Sequence, residues 1–129
     1  MIGLSLVQLG LIGIAGAAGA LTRYLVSRFI AERIISSFPL GTFLINVSGA
    51  FFIGLLAGLA NQRMISLLTQ AVLATGFLGG YTTFSTMHWE GTQLIRGESA
   101  VDGLLYLAGT FAIGIPLAAV GMMVGGWFS

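Results

Sequence analysis

The chain has 129 residues, 57% of them hydrophobic and only 7% charged, with a formal net charge of +1 and no cysteine. A soluble domain carries about 25% charged residues, so this composition excludes an ordinary globular protein and a disordered one, and leaves a membrane protein. Without cysteine there are no disulfides or zinc-thiolate sites, one histidine leaves little for a transition-metal centre, and the charge balance offers no basic patch for nucleic acid.

The charged residues (Arg23, Arg28, Glu32, Arg33, Arg63, Glu90, Arg96, Glu98 and Asp102) bound uncharged stretches at 1–22, 34–62, 64–89 and 103–129. Crossing a hydrocarbon core of roughly 30 Å takes about 20 helical residues, and each stretch is long enough. The expected fold is an all-α membrane protein: one four-helix transmembrane domain over residues 1–129, with spans at about 2–25, 40–60, 65–94 and 103–127. Little chain remains for a soluble domain or a long loop.

Span one carries a stripe of small residues, with Gly10, Gly13, Gly16 and Gly19 spaced by three and alanines between them. Small residues let helix backbones approach closely where lipid supplies no hydrophobic force between them. The run GAAGA at 16–20 is of the kind found at a signal-peptide cleavage site, but no positive segment precedes it and the apolar run continues through Leu21, Tyr24, Leu25 and Val26, so cleavage is not expected. No lipid-anchor motif is found either. Arg28, Glu32 and Arg33 extend the span as a polar continuation.

Pro39 with Gly41 starts span two, which has a small-xxx-small pattern at Gly54 and Gly58. The loop at 61–63 is so short that spans two and three must be antiparallel neighbours. Span three reads well to Gly76 and then meets GFLGGYTTFSTMHWE. Gly79, Gly80, Thr82 and Thr83 are poor helix formers where the span should be deepest, which predicts a break near 79–83. Backbone at that depth is tolerated outside a helix only when it is buried in protein or lines a cavity. Span four contains Pro116, an expected kink, and a second packing pattern at Gly121 and Gly125; Trp89 and Trp127 are placed as interface anchors.

Four spans make too thin a bundle to enclose a hydrophilic path, and the small-residue faces point to a two-fold dimer. Arg23, Arg28, Arg33 and Arg96 lie on one side and Arg63 on the other, which turns both termini outward; the bias weakens if Arg23 lies within the bundle, and both orientations then become possible.

Polar residues within the spans each have two readings. Asn46 is either a helix-to-helix hydrogen-bond partner or a neutral donor for an anion in a pore. Arg23 is either a snorkelling end-of-helix residue or a cation that concentrates anions in a vestibule. At the break, free carbonyls can coordinate a hard cation, while the Phe84 ring edge and the hydroxyls of Thr83, Ser85 and Thr86 can line an anion path. The alternatives are Phe84 as core filler and hydroxyls bonded back to the preceding turn. His88 and Glu90 do not face each other on a helix, which favours an interfacial or hydrogen-bonded pair over a metal site. No nucleophile with a base, paired carboxylates or phosphate loop is present, so the protein is not expected to be an enzyme.

Three motifs, GAAGALTRY (16–24), GTFLINVSGAFFIG (41–54) and GFLGGYTTFSTM (76–87), resemble the Fluc (CrcB) family of fluoride channels, and the resemblance covers nearly the whole chain. It implies an antiparallel, dual-topology-type dimer of four-helix subunits in the cell (inner) membrane, with two pores that export cytoplasmic fluoride and a structural sodium ion at the dimer centre. Gly79 and Thr82 match positions whose carbonyls hold that sodium. Asn46 matches the pore asparagine, Phe84 the first ring of a phenylalanine pair, Ser85 a hydroxyl of the polar track and Arg23 the span-one arginine. The chain departs from the family at Met87, where a second phenylalanine is usual, and at His88, where a small hydroxyl residue is common. Either Met87 is tolerated in a homodimer, or the chain pairs with a complementary paralogous subunit. Thr110 is a further candidate on the path. A small proton-coupled multidrug antiporter needs an acid deep in a span, whereas Glu32, Glu90, Glu98 and Asp102 all stand at or near span ends. A non-transporting assembly subunit is the remaining alternative.

Overall fold

The computed structural model describes residues 5–35, 38–97 and 99–127; Glu98 and the expected start of span one at residue 2 lie outside them. Helix α1 runs Leu6–Arg33 and α2 Leu40–Asn61. A short α3, Leu67–Gln70, leads into a π-helical stretch, Ala71–Leu78, and a final turn α4, Gly79–Tyr81. Helix α5 follows at Phe84–Arg96 and α6 at Ala100–Gly126. The described residues are all-helical, without a strand, and α1, α2 and α6 are each long and apolar enough to cross a membrane.

Local chemistry sets the boundaries. Ser5 caps α1 in a reciprocal capping box: its hydroxyl accepts from the Gln8 N–H at 3.1 Å, and the Gln8 side chain accepts from the Ser5 N–H at 2.9 Å. The polar continuation past Leu25 is helical to Arg33, with Arg28 paired to Glu32 at 2.9 Å and the Arg33 guanidinium 3.8 Å from the Phe29 ring centre. Pro39 precedes α2. Arg63, at a left-handed φ of 58°, closes the reversal that returns the chain along α2. Thr83 and Ser99 cap α5 and α6 with their hydroxyls. Helix α6 continues through Pro116.

Two seams of small residues hold the fold together. The first joins α2 to α6 along most of their length: a Cβ at Gly54 would fall on the Ala118 carbonyl, and one at Gly121 on the Phe51 carbonyl, with Gly58 and Gly125 meeting the opposite backbone in the same way. The two small-xxx-small patterns of the sequence therefore mesh with each other, and close backbone approach replaces the hydrophobic drive that lipid does not supply. The second seam sets α1 against the π-helical stretch and α4, where Gly19 abuts the Phe77 carbonyl and Gly80 the Gly16 carbonyl. A methyl group at Gly10 or Gly13 would meet nothing within 4 Å, so only half of the α1 stripe is used within the chain. Helix α5 packs on α6, and Tyr106, fully buried, receives the Phe38 ring edge-on at 5.2 Å.

Candidate functional site

The helical path between Leu67 and Arg96 departs from helix at two residues. Thr82 (φ −81°, ψ 155°) and Thr83 (φ −147°, ψ 114°) are extended, while Gly79 and Gly80, which the sequence also marks as helix breakers, stay helical, and Gly80 serves the seam with α1. An interruption strands backbone groups that α-helical bonding would have satisfied. Asn46 of α2 recovers two of them: its Nδ2 donates to the Thr83 carbonyl at 3.0 Å, and its Oδ1 accepts from the Thr83 N–H at 2.9 Å. The hydrogen-bonding reading of Asn46 is the one seen here. It is a helix-to-break bridge, and the second N–H of Nδ2 is uncommitted among the described residues.

The rest of the break divides its polar groups by direction. The Thr82 hydroxyl donates back to the Leu78 carbonyl at 2.9 Å, and the Thr83 hydroxyl accepts from the Thr86 N–H at 3.2 Å. Among the described residues, no backbone N–H donates to the Thr82 carbonyl, and the carbonyls of Gly79, Gly80 and Tyr81 belong to the last helical turn before it. Gly79 is exposed on the surface of the single chain. These are neutral, hard oxygen donors of the kind suited to an alkali or alkaline-earth cation. Tyr81 is steadied from the other side, its hydroxyl 3.0 Å from that of Ser48 and its ring stacked on Phe77.

Three cavities receive the side chains singled out in the sequence. One of about 310 Å³ lies between α2, the break and α6, lined by Asn46, Thr82, Thr83, Phe84, Met87 and Thr110 among others. Within it Met87 is only 3% exposed, and Thr110 bonds its own helix, donating to the Tyr106 carbonyl at 2.7 Å. A second, of about 490 Å³, opens on the outer face of α5 along Phe84, Ser85, His88, Trp89 and Arg96. Phe84 borders both, with 66% of its surface exposed. The third, about 520 Å³, collects Thr86 and Glu90 with Ser27, Thr42 and the loop before α2. Arg23 lines none of these three; its Nε is buried with no hydrogen-bond partner among the described residues.

Some participants escape a reading by motif. Tyr106 reaches Glu90 with its hydroxyl at 3.5 Å, so Glu90, expected near a span end, is half-buried against a buried phenol. Asp102, Tyr106 and Thr110 recur at helical spacing in α6, and that polar stripe in an apolar helix was the available signal. Trp89 and Trp127 are both largely exposed, as interface anchors would be.

Comparison with known proteins bears on the same segments. The profile of the family described as CrcB-like protein, Camphor Resistance (CrcB), matches residues 10–122, which include Asn46 and the whole of the break. The chain belongs to the CrcB family. Among curated relatives, it is 44% identical over 114 residues to the Fluoride-specific ion channel FluC of Hydrogenobaculum, covering 88% of this chain and 93% of that protein. It is 42% identical over 105 residues to FluC 2 of Clostridium acetobutylicum, 81% of this chain and 86% of the relative. FluC 1 of Geobacillus kaustophilus, also 42% identical over 114 residues, covers 88% and 94%. Members of the CrcB family with this degree of likeness are thus named as ion channels, not enzymes.

Proposed function

We propose that this protein is a passive, fluoride-selective ion channel that lets cytoplasmic fluoride leave the cell. The observation that carries this reading is the Thr82–Thr83 interruption, bridged by an uncharged amide and flanked by an exposed phenyl ring, in a chain whose relatives are named fluoride-specific channels. Fluoride is small and strongly hydrated. A lining of neutral N–H and O–H donors and positive ring edges replaces its water without the fixed charge that would trap it.

On this reading Asn46, Phe84, Ser85, Thr83, Thr86 and Met87 belong to the pathway, with Arg23 drawing anions into a vestibule. The buried, unpartnered Nε of Arg23 supports a role for it in a larger assembly. The segments from Leu67 to Arg96 act together as the third of four spans, making a single multi-pass domain of the inner membrane over residues 1–129. The exposed Gly79 and the Thr82 carbonyl without a backbone donor need cover at membrane depth, which favours an antiparallel dimer meeting there. The carbonyls of Gly79 and Thr82 would hold a sodium ion at that centre, supplying a fixed positive charge between the subunits. Since Arg23 is partly buried, the arginine bias that would set one orientation is weaker, in keeping with dual insertion.

Purified protein in liposomes tests the function: fluoride should escape down its gradient while chloride is retained, and equal release of both would overturn selectivity. A second reading, a subunit of a heterodimeric channel, is favoured by Met87 in the place of a ring. Its sign is fluoride flux only when a paralogous partner is co-reconstituted.

A further inference from the structure

We propose that His88 supplies the ring that the chain lacks at position 87, as a second edge along the fluoride path beside Phe84. The inference rests on the channel reading above and assigns a residue to it. Three observations carry it. Met87 is 3% exposed and lines the inner cavity with Asn46, so its side chain does not border the outer groove. His88, one residue on, is exposed and stacked on Phe84, with ring centroids 6.0 Å apart and planes at 15°. Both rings border the same open groove of about 490 Å³, together with the exposed Ser85.

Helical spacing explains the exchange. Residues four apart share a face, so a ring at 88 lies over the one at 84 without any change in the backbone. An imidazole resembles a phenyl ring in its flat shape and polarised edge, and adds an N–H donor. The stack also restrains Phe84, which is otherwise free on the open side of the groove, and keeps its edge turned along the path.

The test uses the full-length protein reconstituted in liposomes, comparing wild type with His88→Ala, His88→Phe and His88→Gln for fluoride efflux, and gel filtration for assembly. Fluoride efflux should fall about tenfold in His88→Ala, the factor a contact of aromatic-pair strength supplies. His88→Phe should recover the rate to within about twofold, and His88→Gln should not. Wild-type efflux from His88→Ala overturns the assignment, as does rescue by glutamine but not phenylalanine. Should His88→Ala fail to assemble, the phenylalanine and glutamine variants decide by the same comparison. A wild-type protein that carries no fluoride overturns the channel reading itself, whereas normal wild-type efflux with indifferent variants removes His88 alone.

Discussion

The side-chain amide of Asn46 brackets the Thr83 backbone from both of its polar ends, accepting from the N–H at 2.9 Å and donating to the carbonyl at 3.0 Å. An asparagine in one helix thereby satisfies both backbone groups of one residue in a two-residue gap in another. The site and the fold depend on the same contact.

Replacing Asn46 by Ala should therefore destabilise the protein as well as slow transport. Two backbone groups would lose partners, at about 1–3 kcal/mol each where water cannot replace them. The thermal midpoint in detergent should drop by several degrees. Asn46→Asp keeps the acceptor for the Thr83 N–H but sets a carboxylate oxygen against the Thr83 carbonyl, so flux should also be lost. An unchanged midpoint in Asn46→Ala would show that the bridge is dispensable.

Phe84, exposed and bordering two cavities, has little packing to lose. Phe84→Ile should abolish fluoride efflux from liposomes while leaving elution on gel filtration unchanged. Undiminished flux would remove the ring from the path.

The α1 stripe offers an internal control. Gly19→Ala places a methyl against the Phe77 carbonyl, whereas Gly10→Ala places one in open space. Overpacking costs about 1–3 kcal/mol, so Gly19→Ala should lower the yield of folded protein and its thermal midpoint. Within the chain, Gly10→Ala should be neutral. If Gly10→Ala instead disrupts assembly, the unused half of the stripe is a contact between subunits.

Sodium withdrawal tests the carbonyls of Gly79 and Thr82. An ion bound only by the folded assembly stabilises it by mass action, about 2.7 kcal/mol at 100 times its dissociation constant. Exchange of sodium for a bulky organic cation at constant ionic strength should lower the thermal midpoint and the fluoride flux together. Indifference of both would leave those carbonyls without a cation.

Much of this architecture could be read from residue spacing. Gly54 with Gly58 and Gly121 with Gly125 were recognisable as packing surfaces because their spacing is helical, although nothing local says that they face each other. The segment from Gly79 onward was recognisable as anomalous from propensity. Gly79 and Gly80 nonetheless remain helical, Gly80 in close approach to α1, and the departure falls on Thr82 and Thr83, where Asn46 compensates the Thr83 backbone. The π-helical winding of Ala71–Leu78 has no composition that announces it. Contacts between distant elements were the least legible: Glu90 with Tyr106, and Ser48 with Tyr81, depend on how helices are rotated against one another.

The α2–α6 seam has an evolutionary corollary. Glycine is the smallest residue, and at Gly54 and Gly121 the first added carbon already meets opposing backbone, so every substitution there errs in the same direction. Sequence drift has no neutral step to take along this ridge. In lineages diverging from this sequence, the paired helices should therefore keep glycine at both positions.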